Sequence, residues 1–339
     1  MNSRGKVSVI ILTYNSISKL GKFFDRVLES VLKQDYPDYE VFVVDNGSAD
    51  GTPRYVEKVY GKYYANLRVV RLGKNYGWSG GNNRGALLAR DSRYLLFMND
   101  DVILLESSLI HKLVSAISKQ ERLAAVQPLI INRDGTLNCG LDLGLSGLPK
   151  MIQYPRGYPL SPAFYVSGAA LLTRTEIFFK IGMFDKDLFL YHDDADYSWR
   201  LRLVGYEVAC IVDAKAYHLG SATLGVESPQ YYYYLMRNNI WVIAKNSSIP
   251  WLFIRLLLML LETQISFVGH MLLKRRDAER TLAILRGLID GFCYLKTSFS
   301  KRFRDKIIND EKLNKSMNPL VDVDLILPKT LRKALGFKW

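Results

Sequence analysis

Three apolar runs in the N-terminal part of the chain end in the same way, and that repetition constrains the fold more than any other feature. Val7-Ser8-Val9-Ile10-Ile11-Leu12 stops at Thr13-Tyr14-Asn15-Ser16, Tyr39 to Val44 stops at Asp45-Asn46-Gly47-Ser48, and Leu95-Leu96-Phe97-Met98 stops at Asn99-Asp100-Asp101. Short runs rich in β-branched residues read as buried strands covered on both faces. The polar groups at their ends lose too much hydration if buried unpaired, so they belong at a wet cleft. Helical patterns fill the intervals. Leu20, Phe23, Phe24, Val27, Leu28 and Val31 predict a helix over about Ile17 to Gln34 that faces the sheet, ended by Tyr36-Pro37-Asp38-Tyr39. Leu67 to Leu72 reads as a strand, Ser107 to Lys119 as an amphipathic helix and Ala124 to Ile131 as a further strand. This alternation predicts an α/β fold with an open, mostly parallel sheet flanked by helices and with ligands at the strand carboxyl ends.

The residue types at those ends suggest chemistry. Adjacent carboxylates at Asp100 and Asp101 repel each other, and a hard divalent cation carrying phosphate oxygens relieves that repulsion. The alternative is that Asn99 or Asp100 caps a helix. Asp45 is placed to accept a hydrogen bond from a base or sugar, or else to cap its own turn. The stretch from Asn75 to Gly85, with Gly80, Gly81 and Asn82 at its centre, reads as a ligand-facing loop leading into a helix over about Asn82 to Arg90. It matches neither GxGxxG nor GxxxxGK[ST], which disfavours a Rossmann dinucleotide site and a P-loop.

Residues 132–162 carry many Gly and Pro and predict loops with short strands, after which Tyr165 to Leu172 resumes core character. A second acidic cluster follows at Asp193, Asp194 and Asp196. On a helix Asp193 and Asp196 share a face with Arg200 while Asp194 points elsewhere, so Asp196 reads as structural and Asp194 as a partly desolvated general base. His218, just beyond a strand expected over Tyr206 to Val212, is a metal or phosphate contact or else a packing residue.

The chain has 339 residues, 49% of them apolar, which suffices for one large or two modest domains. Lys and Arg exceed Asp and Glu by 46 to 33, a net charge of +13 that favours anionic partners without choosing among them. Cys139, Cys210 and Cys293 form no metal or CxxC pattern, which suggests a reducing compartment. The polar Met1 to Lys6 and the brief Val7 to Leu12 run do not make a signal peptide core, so a cytoplasmic catalytic part is expected. Tyr231 to Tyr234 read mostly as packing, with Arg237 a phosphate-contact candidate. Ile249 to Leu273 could span a bilayer by length, but Arg255, Glu262, Gln264 and His270 interrupt it and Lys274-Arg275-Arg276 follow. An interfacial helix on an anionic membrane surface accounts for those interruptions, with a buried helix or a homo-oligomer contact as rivals. Lys301 to Trp339 is a basic tail of few clear periods.

Taken together, these motifs resemble family 2 glycosyltransferases of the GT-A fold, particularly the rhamnosyltransferase-like members. The resemblance covers about Val7 to Lys245 and rests on Val9 to Asn15, Val44 to Ser48 with Asp50-Gly51-Thr52, Asn75-Tyr76-Gly77 with Gly80 to Asn83, Asn99-Asp100-Asp101, Asp193-Asp194 to Arg200, and His218 with Ser221. It implies the GT-A nucleotide-diphospho-sugar transferase fold with a helical C-terminal extension, a UDP-, dTDP- or GDP-sugar donor, Mg2+ or Mn2+, and inversion at the anomeric carbon. Carried over by position, Thr13, Tyr14, Asn15, Asp45, Asn75, Gly80, Gly81, Asn82 and Asp100 would line the donor, Asp100 near the ribose or the metal, and Asp101 with His218 would hold the metal. Asp194 would be the base, with Asp193, Trp199 and Arg237 toward the acceptor. This family often has Glu-Asp where the chain has Asp193-Asp194, and the shorter neighbour changes the acceptor geometry.

The implied division is residues 1–245 as the transferase domain, with a nucleotide-binding half of about 1–131 and an acceptor half of about 132–245, and 246–339 as a helical, basic extension associated with the membrane. The expected acceptor is a lipid-linked glycan or polysaccharide at the cytoplasmic membrane face, and no nucleic acid partner is expected. Two rivals remain: a nucleotidyltransferase, for which Thr13-Tyr14-Asn15-Ser16 is a poor triphosphate loop, and a non-catalytic sugar-binding or scaffold protein of the same fold.

Overall fold

A computed structural model describes residues 5–220, 228–273 and 278–301, and of residues 263–273 the backbone alone. The first part alternates as its pattern requires: β1 (Val7–Thr13), α1 (Ser16–Leu20), α2 (Lys22–Leu32), β2 (Tyr39–Asp45), α3 (Thr52–Val59), β3 (Leu67–Arg71), α4 (Gly77–Leu88), β4 (Tyr94–Asn99), β5 (Val102–Leu104), α5 (Leu109–Ser118) and β6 (Leu123–Asn132). Strands β3, β2, β1 and β4 lie side by side, all parallel. Phe24, Val27, Leu28 and Val31 of α2, and Leu109, Leu113 and Ile117 of α5, are buried in the core formed with this sheet. The helix expected over Ile17 to Gln34 is two helices, because Gly21 at φ 52° and ψ −131° breaks the ladder between them.

Then follow β7 (Leu137–Asn138), β8 (Leu141–Leu143), β9 (Pro149–Met151), β10 (Leu160–Ala163), β11 (Ala170–Arg174), α6 (Thr175–Lys180), α7 (Asp193–Leu203), β12 (Glu207–His218), α8 (Pro229–Asn246), α9 (Ile249–Leu273), α10 (Ala278–Cys293) and α11 (Leu295–Ser300). The main sheet runs β10-β12-β6-β11-β4-β1-β2-β3, with β5 added on β12 and β7 on β6. Strand β11 enters antiparallel between β4 and β6, so the two strands that alternation would make neighbours are separated. Ala169, just before the strand, and Ala170, opposite Met98, are buried small residues at its start.

Two compact units result. One comprises Met1–Leu141, Met151–Ser198 and Glu207–Val226; the other comprises Asp142–Lys150, Trp199–Tyr206 and Glu227–Trp339. The second is built on α8, whose Ile240 and Ile243 pack with Leu252 and Met259 of α9.

The glycine-rich stretch departs most from expectation, being helical from Gly77 rather than from Asn82. The glycines form the contact surface of α4. A Cβ on Gly85 would stand 2.7 Å from Ile10 Cγ2 and 3.0 Å from Val44 Cγ2, and one on Gly81 would stand 2.4 Å from Leu12 Cδ1. Glycine at this four-residue spacing seats the helix backbone directly on β1 and β2. Gly85→Ala is therefore expected to lower stability by about 1–3 kcal/mol through overpacking against stiff β-branched neighbours, read as a lower urea midpoint. A gain of roughly 1 kcal/mol, which helix propensity alone would give, would contradict this packing.

Candidate active site

Parallel pairing brings the strand ends level. Thr13 is opposite Asp45 across β1 and β2, and Leu12 is opposite Asn99 across β1 and β4. The chain leaves β4 through a tight turn at Asp100 and Asp101 and enters β5, which pairs with the end of β12 so that His218 is opposite Val102. His218 thus ends a strand rather than lying beyond one. The backbone N–H of Leu219 donates to Asp101 O at 3.0 Å, and His218 Nε2 stands 3.2 Å from Asp101 Oδ1.

Both acids of the turn are nearly buried. Burial, followed by the charge of Asp101, pushes the Asp100 carboxyl up to about 7, against the hydroxyl of Ser16, which donates to Asp100 Oδ2. Lys19, which the sequence did not single out, supplies positive charge toward Asp100 from over the Tyr14 ring, its ammonium 4.6 Å from the centroid.

The loops after β1 and β2 are sewn together. Asn15 adopts φ 55°, its N–H donates to Ser48 Oγ at 2.8 Å, and its Oδ1 accepts from the N–H of Ala49 at 2.8 Å. Asp45 accepts from the N–H of Ser48 at 3.1 Å and from Thr13 Oγ1 at 3.5 Å. Thr13 is fully buried, so its hydroxyl has no surface to offer a ligand and it stands behind Asp45. Asn75 Oδ1 accepts from Asn46 Nδ2 at 3.0 Å and from the N–H of Gly77 at 2.8 Å, which sets the start of α4. Gly80 and Gly81 lie within that helix and are buried, not in an open loop, because the helix uses them as packing surface. Asn82 is buried as well; its Nδ2 donates to Trp78 O at 3.0 Å, while its Oδ1 has no partner.

The second acidic cluster opens α7. Asp193 is turned inward, bonded by the Ser79 hydroxyl, and burial raises its proton affinity well above the ordinary carboxylate range. Asp194 is half-buried. Its Oδ2 accepts from the N–H of Gly168 at 2.7 Å and its Oδ1 from that of Ala195 at 2.8 Å; burial raises its proton affinity and the two N–H donors oppose that rise. The approach to this helix is strained: Met183, Phe189, Tyr191 and His192 all have φ between 62° and 67° without being glycine. Such backbone persists only where its surroundings fix it and is concentrated at functional sites.

Trp78 joins the two acidic regions, and the sequence reading overlooked it. Its indole Nε1 donates to Asn99 Oδ1 at 2.8 Å, and its backbone N–H donates to Phe189 O at 2.6 Å. A Cβ on Gly168 would stand 2.9 Å from the Trp78 ring and 3.4 Å from Asp194 Cβ, so only a glycine fits between them. The available signal was a large aromatic inside a run of glycines.

Trp199 and Arg237, expected toward the acceptor, belong to the second unit. Trp199 is fully buried with the Arg255 guanidinium 4.9 Å from its ring, so it has no surface for an acceptor. Arg237 lies 4.3 Å from the Trp241 ring. Ser221, Lys274-Arg275-Arg276 and the tail beyond Lys301 lie outside the described residues, as do the side chains of Gln264 and His270.

Among the described residues no three His, Cys, Asp or Glu side chains converge as a metal cluster. The Asp101–His218 pair nevertheless fits a hard cation. Octahedral bonds of about 2.0–2.1 Å place neighbouring ligand atoms about 3 Å apart, and Mg2+ commonly takes few protein ligands and fills the rest with phosphate and water.

Because the folded-state proton affinity of Asp100 is raised, its contribution to stability is full below the unfolded value of 3.8 and is lost as pH rises toward about 7. Asp100→Asn is accordingly expected to unfold at a higher temperature than the wild type at neutral pH without metal, with the difference gone in acid; an equal difference at both pH values would contradict the burial argument. Trp78→Phe keeps an aromatic side chain but removes the indole N–H that bonds Asn99, with an expected loss of about 1–3 kcal/mol in urea unfolding.

The family model described as "Glycosyl transferase family 2" matches residues 8–182. The chain is 27% identical over 243 residues to the N-acetylglucosaminyl-diphospho-decaprenol L-rhamnosyltransferase of Mycobacterium tuberculosis, covering 62% of this chain and 75% of that protein. Its fold is similar to that of the TarS 1–349 crystal structure from Staphylococcus aureus in complex with UDP-GlcNAc, with TM-score 0.59, 19% identity and coverage of 88% and 89%. It is also similar to GalNAc-T7 with UDP, GalNAc and Mn2+, with TM-score 0.60, 18% identity and coverage of 71% of this chain and about half, 48%, of that one. At such identities the two structures speak for the fold alone.

Proposed function

The chain belongs to glycosyl transferase family 2, and from that premise we propose that it moves a sugar, with inversion, from a nucleotide-diphosphate donor to the hydroxyl of a lipid-linked or polysaccharide acceptor. The observation that carries this reading is the placing of two kinds of acid within one unit: Asp101 beside His218, and Asp194 held by Gly168, with Trp78 between. The name of the mycobacterial relative supports a lipid-linked acceptor. Crystal structures with UDP-GlcNAc and with UDP and Mn2+ support a nucleotide-sugar donor and a divalent cation.

In this mechanism Tyr14, Asn15 and Asp45 meet the nucleoside, with Thr13 bracing Asp45 from behind. Asp101 and His218 would hold Mg2+ or Mn2+, which when bound stabilises charge on the departing diphosphate as a Lewis acid. Asp194 accepts the proton of the acceptor hydroxyl. The freed oxygen pair forms the new bond to the anomeric carbon while the carbon–oxygen bond to the diphosphate breaks and its electrons leave with the diphosphate. The raised proton affinity of Asp194 suits this task, because a base of higher pKa takes up the hydroxyl proton more readily. Asp193, bonded by Ser79, orients the first turn of α7.

A panel of UDP-, dTDP- and GDP-sugars with Mg2+ or Mn2+ tests the reading by thermal shift and donor turnover, and absence of metal-dependent binding by every donor would overturn it. Asp194→Asn is expected to retain donor binding and lose transfer by about 10²–10⁴-fold, the usual scale for a general base. Asp101→Asn is expected to weaken metal-dependent donor binding. In the wild type, activity should rise with pH as Asp194 ionises, and a profile that falls over that range would remove Asp194 from the base role.

A further inference from the structure

The second unit arranges two of its helices in a way unusual for a surface in water. On α10 the side turned to α8 is made of Ala283, Gly287 and Gly291. A Cβ on Gly287 would stand 2.6 Å from Tyr233 O, and one on Gly291 would stand 2.5 Å from Ile240 Cδ1. Leu288 packs with the core of this unit, whereas Leu282, Leu285, Ile289 and Phe292 of α10 point outward and are 36–60% exposed. Helix α9 does something similar. Leu252 and Met259 face inward, but so does Arg255, which is 1% exposed, donates to Ser247 Oγ at 2.7 Å and lies near the Trp199 and Trp251 rings. Outward from α9 stand Phe253, Ile254, Leu257 and Leu261, 44–68% exposed.

A helix in water normally buries its large apolar stripe and exposes its small or charged residues. Small residues at the helix contact with large apolar ones outward is the arrangement that lipid favours. Single exposed apolar residues mean little, whereas eight of them in two helical stripes form faces that call for an occupant. The surrounding charge selects one. Arg286 and Lys296 are exposed, and in the sequence α10 is flanked by Lys274-Arg275-Arg276 before it and by Lys301, Arg302, Arg304 and Lys306 after it. Arg286 and Lys296, exposed beside the apolar stripe, attract anionic headgroups, and the basic residues that flank α10 in the sequence add to the positive charge of this region. Among the described residues no helix is long and apolar enough to cross a membrane.

We propose that the outward faces of α9 and α10 seat this unit on an anionic lipid surface, with Leu282, Leu285, Ile289 and Phe292 entering the headgroup boundary. The expected location of α9 alone at the interface is thereby changed: Arg255 is not a headgroup contact but a buried brace, and α10 carries the clearer lipid-facing stripe. Such a seat serves the lipid-linked acceptor proposed above, and its purpose, though not its geometry, rests on that reading.

The test is flotation of the full-length protein with phosphatidylcholine vesicles, with and without phosphatidylglycerol. Binding is expected to be at least about tenfold stronger with the anionic lipid and to weaken in high salt. Leu285→Glu with Ile289→Glu, and separately Phe253→Glu with Leu257→Glu, are expected to reduce vesicle binding about tenfold or more while keeping the thermal unfolding temperature and nucleotide-sugar binding of the wild type. Wild-type protein that ignores anionic vesicles, or folded variants that float as well as it does, would overturn the proposal. So would light scattering that shows a dimer lost in the variants without any vesicle binding, which would assign the faces to a second copy. Vesicle binding with no donor binding would instead sink the transferase reading and leave the lipid surface standing.

Discussion

Parallel pairing of β2, β1 and β4 is the constraint on which the candidate site depends. Parallel strands must be joined by crossovers, and every strand then delivers its carboxyl end to the same edge of the sheet. With β1 in the middle, Thr13 arrives level with Asp45 on one side and Leu12 level with Asn99 on the other. The turn at Asp100 and Asp101 follows at that edge because β5 pairs with β12, whose last residue is His218. Residues far apart in the chain meet through register alone, and a slip by one residue would turn each of them to the other face.

The helix laid across this edge is equally specific. Gly81 and Gly85 remove the side chains that would hold α4 away from β1 and β2, while Trp78 at its first turn is too large to pack beneath and reaches sideways to Asn99 and Gly168. One element thus combines close backbone contact with a bulky spacer between two acidic regions. The strained run at Phe189, Tyr191 and His192 fits the same frame, since Phe189 O is tied to the N–H of Trp78.

Burial then gives neighbouring carboxyls different characters. Asp193 and Asp194 are adjacent, yet one is sealed against Ser79 and the other is half-buried with two backbone N–H donors. Asp100 and Asp101 differ likewise, with Ser16 on the first and His218 on the second. Desolvation raises proton affinity and hydrogen bonds to the ionised form lower it, so partners rather than residue type separate Asp193 from Asp194.

The sequence by itself determined the strand–helix alternation, the polar strand ends and the family motifs, because hydrophobic periodicity and the hydration of charges act locally along the chain. It also placed Asp194 apart from Asp193 and Asp196 by helical geometry. Other features were decided only in three dimensions. Strand β11 enters between β4 and β6, a choice of pairing with no local signature. The glycines at the start of α4 carry no periodic apolar signal because their function is to lack side chains, so its first turns, Gly77 to Gly81, looked like a loop leading into the helix expected from Asn82. Thr13 and Trp199 looked available until their neighbours covered them, and Arg255 looked like a charge for water until Ser247 and two indoles enclosed it. A sequence shows which groups need water or a partner; which partner each receives depends on residues brought from elsewhere by packing.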